Sequence, residues 1–159
     1  MKIASWVALF LLTLSVSAQM PLRGSKLILV GRFDDGEEVS LEAAIKLSSP
    51  ADVRIIEEKK EVFGGYNDTD KTPFLDKLSL KRSTETFDVP RQALEVLADP
   101  EITTMQLTKK GTLYHINFRG SDGEKAYSVT LSFERETGRW RDMEIRRLRQ
   151  DTIFVPIYK

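Results

Sequence analysis

From Thr103 onward the chain holds four runs in which apolar and polar residues alternate, separated by three short turns that carry glycine. The runs cover 103–108, 112–119, 125–134 and 139–149, and the turns are Lys109-Lys110-Gly111, Gly120-Ser121-Asp122-Gly123 and Glu136-Thr137-Gly138. Successive side chains of a strand point to opposite faces, so alternation gives each strand one packed face and one wet face; a helix would place apolar residues at every third or fourth position instead. Turns this short leave no room for a crossover, and the four strands are expected to form an antiparallel meander. The third run is the clearest, with Tyr127, Val129, Leu131 and Phe133 on one face and Ser128, Thr130 and Ser132 on the other.

The first half of the chain is more mixed. Residues 26–33 read as a strand, and Asp34-Asp35-Gly36 after them is a hairpin signal. Val39, Leu41, Ala43, Ile45 and Leu47 then occupy every second position, which favours a strand, although a short helix capped by Ser40 competes for the same stretch. Ser49-Pro50 with Asp52 is a helix start: a cap hydroxyl, a proline whose missing N–H costs nothing there, and an acid facing the positive dipole end. That helix would align Val53, Ile56, Lys60 and Phe63 over 50–63, against a competing strand over 53–56. A turn-rich loop follows to Pro73, and 77–84 reads as a strand. Asp88 is expected to cap a helix over 89–98, stopped by Asp99-Pro100 and placed to cover the apolar face of the meander. The apolar tail 152–159 is expected to pair or dock. These readings converge on an α+β fold: a mainly antiparallel sheet with a C-terminal four-strand meander and one or two helices packed on one face.

The chain opens with Lys2, an apolar run over 3–16 and the small residues Val16-Ser17-Ala18, the order of a cleavable signal peptide covering residues 1–18. The run is shorter than the roughly 20 residues that a permanent span needs, so no membrane span is expected after cleavage. Removing 18 of 159 residues leaves 141 for one globular domain over 19–159, destined for the bacterial periplasm or the extracellular space. Of 24 basic and 24 acidic residues only Lys2 lies in the signal, so the mature chain carries 23 minus 24, a net charge of −1. That balance argues against nucleic acid as a partner. With no cysteine there are no disulfides, thiolate metal sites or cysteine nucleophiles.

Few residues point to chemistry. His115 is the only histidine, so a repeated histidine metal pattern is ruled out; no cofactor motif is present, and neither a metal nor a cofactor is expected. His115 shares the wet face of its strand with Leu113 and Asn117, where an ordinary half-exposed histidine is the simplest reading and a general base the alternative. Gly120-Ser121-Asp122-Gly123 has the spacing of a turn and not of a nucleophile elbow. Asp34, Asp35, Glu37 and Glu38, and separately Asn67, Asp68 and Asp70, supply oxygens suited to calcium without the spacing of a known calcium loop.

The most distinctive composition lies in the fourth run, where Arg139, Arg141, Arg146, Arg147 and Arg149 accompany Trp140. In a regular strand Arg139, Arg141, Arg147 and Arg149 would share a face with Met143 and Ile145, an awkward mixture that predicts a bulge. The functional reading is a noncatalytic binding or interaction domain. Its contacts would come from Arg139, Trp140, Arg141, Arg147, Arg149 and His115, toward another envelope or secreted protein or an anionic ligand. The alternatives are a small hydrolase-type enzyme using carboxylates or His115, and a structural or accessory envelope protein.

Overall fold

The computed structural model describes residues 26–66, 70–148 and 153–154. The signal-peptide segment, the calcium candidates Asn67 and Asp68 and the arginine Arg149 lie outside them. The protein is an α+β fold dominated by antiparallel strands, in two sheets whose strand order follows chain order. The first sheet comprises β1 (Lys26–Arg32), β2 (Glu38–Ser48), β3 (Thr72–Arg82) and β4 (Glu85–Asp88). The second comprises β5 (Pro100–Lys110), β6 (Leu113–Gly120), β7 (Tyr127–Glu134), β8 (Trp140–Arg147) and β9 (Ile153–Phe154). The expected meander is thus present, with one further short strand at its edge.

Residues 39–47 are strand, as their alternation favours: Val39, Leu41 and Ala43 are fully buried and pair with β1 through a hairpin at Asp34-Asp35-Gly36. Their burial partners come from the other sheet. One continuous core gathers Leu29, Leu41, Leu78 and Leu80 from the first sheet with Leu107, Ile116, Val129, Leu131 and Ile145 from the second. The apolar face of the meander is therefore covered largely by a second sheet, where a helix over 89–98 was expected to lie.

Only one turn of that helix forms, α2 (Arg91–Leu94). The backbone of 96–98 is claimed by two strand-like bridges, Phe63 to Leu97 and Phe74 to Ala98. Phe63 donates its N–H to Val96 O at 2.8 Å and accepts from Ala98 N at 2.8 Å, so these groups are unavailable to a helix. Asp88 does not cap it either; the carboxylate accepts from Ser79 Oγ at 2.5 Å across the β3–β4 pair. The first helix, α1 (Pro50–Glu57), starts as expected, with a reciprocal capping box between Ser49 and Asp52, but stops short of Phe63, which the same bridge draws into extended structure.

The turns β1–β2 and β3–β4 share one end of the first sheet and β5–β6 and β7–β8 one end of the second, and contacts of Lys109 and Arg135 with Asp35 and Glu37 bring the two ends together. Two register shifts in the second sheet matter for the site. In β5 the residues between Glu101 and Gln106 leave the ladder with β6. In β8, Ser132 faces Asp142 while Phe133 faces Trp140, so Arg141 is the extra residue of the expected bulge.

Candidate functional site

The outer face of the second sheet is built by the polar half of the alternation. The registers align three rows across it: Thr108, His115, Ser132 and Asp142; then Gln106, Asn117, Thr130 and Glu144; then Glu101, Arg119, Ser128 and Arg146. The lower two rows line a groove of about 890 Å³, bounded on one side by the departing segment of β5 with Thr103 and Thr104, and also lined by Leu148. Thr104 repairs the broken ladder: its hydroxyl accepts from Arg119 N at 2.9 Å and donates to Glu101 O at 2.7 Å. The groove is therefore a consequence of the β5 irregularity, which lifts the edge strand away from β6 while keeping its backbone partnered.

His115 lies on this face, half-buried and above the groove, with Nδ1 3.3 Å from Ser132 Oγ. A serine, a histidine and an aspartate thus share a row, but in the wrong order for nucleophilic catalysis. Ser132 stands between His115 and Asp142, and two strand spacings of about 4.8 Å separate the carboxylate from the imidazole it would have to orient. His115 sits on an open sheet and does not line the groove.

The arginine run is dispersed by the bulge. Arg139 and Arg141 are exposed at the start of β8, Arg141 lying 3.7 Å from Asp142. Trp140 turns inward and packs against the core. Arg147, at the far end of the strand, lies opposite Tyr127; its guanidinium pairs with Glu61 and stands 5.5 Å from the centroid of the Phe63 ring. Eight residues of strand at about 3.3 Å each separate Arg139 from Arg147. The structure therefore does not assemble Arg139, Arg141 and Arg147 into one patch. It brings to the groove Arg146, which belongs to the run, and Arg119, which has no arginine neighbour in sequence and gave no local signal.

The acidic turn Asp34-Asp35-Gly36-Glu37 is answered by cations and not left open for calcium. Arg135 contacts Asp35 at 2.6 Å and Glu37 at 3.0 Å; Lys109 pairs with Asp35 and lies 3.3 Å from Glu37. The buried Tyr114 donates its hydroxyl to Glu37. Arg82 adds hydrogen bonds to the carbonyls of Arg135 and Glu136. Asp35 titrates below the usual aspartate range, chiefly because of the hydrogen bond from Lys109. Burial pushes Glu37 upward, but hydrogen bonds from Tyr114 and Lys109 and the charge of Arg135 outweigh it and hold the carboxyl low. Burial and the hydrogen bond to Glu37 push the Tyr114 phenol up. These contacts clasp the hairpin turns of the two sheets together at the end of the molecule remote from the groove.

Among the described residues no group of three or more histidines, cysteines or carboxylates is placed to hold a metal ion. What the outer face offers is hydrogen bonding over an open surface, from side chains held on paired strands. No protein-family model, curated protein or solved structure matches the chain.

Proposed function

We propose that the protein is an exported, noncatalytic binding domain that takes its ligand along the groove on the outer face of β5 to β8. The observation that carries this reading is the coincidence of that groove with two rows of outward polar side chains on a rigid antiparallel ladder, away from any closed cleft around His115. Reactive groups in an enzyme converge on one small volume, whereas here hydroxyls, amides and guanidiniums are spread along strands, an arrangement suited to an extended partner. The partner fitting the compartment is another envelope or secreted protein or an anionic ligand. Arg139 and Arg141 lie beyond the groove lining and extend the contact surface toward the hairpin end. Export rests on the order of charge, apolar run and small residues within 1–18.

The test is capture of partners from envelope extract on the immobilised protein, comparing wild type with Ser128→Tyr. Ser128 is half-buried on the outer face at the centre of its row, so the added ring fills the groove without entering the core. Capture should fall at least tenfold. Unchanged capture overturns the groove reading. Intact mass of the exported protein checks processing: a species starting at Gln19 is expected, and a membrane-bound species retaining Met1 would count against export.

A further inference from the structure

The rows that line the groove differ in what they leave available. In the Asn117 row the polar groups largely satisfy one another: Thr130 Oγ1 donates to Asn117 Oδ1 at 2.9 Å, and Asn117 Nδ2 donates to Thr108 Oγ1 at 3.4 Å, which donates on to the carbonyl of His115 at 3.5 Å. The row below has no such closure. Among the described residues Arg119 is exposed and its guanidinium has no acidic partner, Ser128 makes no side-chain hydrogen bond, and Arg146 holds only Glu144, at 3.5 Å. Register sets the small Ser128 between the two arginines, whose stems stand about 10 Å apart across two strand spacings, close enough for both forks to reach one group above the hydroxyl.

We infer that Arg119, Ser128 and Arg146 form a subsite for a single oxyanion, carboxylate or phosphoryl, carried by the ligand of the groove. This rests on the groove reading and names the chemistry of one part of it. The spare capacity of Arg119, Ser128 and Arg146 is overwhelmingly donor capacity, since a guanidinium offers only N–H groups in a planar fork that matches carboxylate and phosphate oxygens; the acceptor of the row, Glu101, lies at its edge. A neutral sugar would need acceptors in equal measure and a stacking ring, and the two rows that line the groove carry no aromatic side chain. Glu101 and Glu144 at the margins of the groove balance the two arginines in charge, which excludes a polyanion while leaving room for one localised negative group flanked by neutral donors.

Backbone-amide NMR of the full chain, titrated at constant ionic strength with inorganic phosphate and separately with N-acetylaspartate, tests the inference. Saturable shifts at residues 119, 128 and 146 are expected with at least one probe, weakened fivefold or more by Arg119→Ser and by Arg146→Ser. Tighter binding of phosphate identifies a phosphoryl group, and tighter binding of N-acetylaspartate a carboxylate. The inference is overturned if neither probe gives saturable shifts there, if both serine variants bind like wild type, or if the shifts centre on Lys109 and Arg135. Loss of partner capture in Ser128→Tyr without oxyanion binding would keep the groove and remove the subsite. Arginine-dependent oxyanion binding with capture unaffected by Ser128→Tyr would keep the subsite and remove the groove as the partner's seat.

Discussion

Glu37 receives donors from three separate parts of the second sheet: Tyr114 on β6, Lys109 on β5 and Arg135 after β7. Its carboxyl, like that of Asp35, titrates below its ordinary value, so the folded state favours the ionised form. For a depressed folded pKa the stabilisation is fully present above the unfolded value, about 4, and is lost as pH falls through the folded one. Thermal melting should therefore be nearly flat from about pH 7 to 5 and decline below about pH 4. Glu37→Gln should melt lower at neutral pH and lose part of that acid decline, and parallel curves for the two proteins would show that the clasp contributes nothing to acid sensitivity. The acidic turn was visible in the sequence, but its partners were not, because Lys109 and Arg135 lie 72 and 98 residues from Glu37 and look like ordinary turn cations. Arg119 was hidden for a similar reason: its role depends on cross-strand register with Ser128 and Arg146, a relation between three runs that no single run displays.

At the scale of elements, strands were legible wherever alternation and a glycine turn coincided, as in β6, where Tyr114, Ile116 and Phe118 are buried, and β7, where Tyr127, Val129, Leu131 and Phe133 are buried and Ser132 is the one polar residue buried with them. The α1 cap was equally legible, since Ser49 and Asp52 act through local hydrogen bonds and Pro50 through its own fixed backbone angle. The misreading of 89–98 has the opposite cause. Its helical spacing of Ala93, Val96 and Leu97 is real, but Phe63 and Phe74 offer extended pairing that buries Val96, Leu97 and Ala98 more completely than a surface helix would. Gly64 makes that bridge possible. Its φ is +103°, and a Cβ there would lie 2.2 Å from the Ala98 carbonyl oxygen and 2.9 Å from the Tyr127 ring. Gly64→Ala combines backbone strain with a clash against backbone and should cost on the order of 3 kcal/mol. At Gly36, φ is +79° but a Cβ meets nothing within 4 Å, so Gly36→Ala should cost only about 1 kcal/mol, the conformational part alone. Denaturant unfolding of the two variants separates these terms; equal losses would mean that the close approach to Ala98 is not limiting.

Across the whole molecule, the sequence conveyed class but not layering. Each half reads as strands with one apolar face, and nothing local says that the two faces meet. Their meeting makes the interior strands the most protected, since β2, β3, β6 and β7 are each paired on both sides while their inward residues are fully buried. Amide exchange should be slowest there and fastest in α1 and β4, and faster exchange in β6 and β7 than in α1 would contradict the shared core. Neighbour-only pairing also has a bearing on biogenesis. Every strand pairs with the one made just before or after it, so a chain emerging from its amino end can close its first four strands before the fifth exists. Until the later strands arrive, Leu29, Leu41, Leu78 and Leu80 face solvent on a finished sheet, an interval in which the half-built protein is exposed to self-association and to capture by holding chaperones.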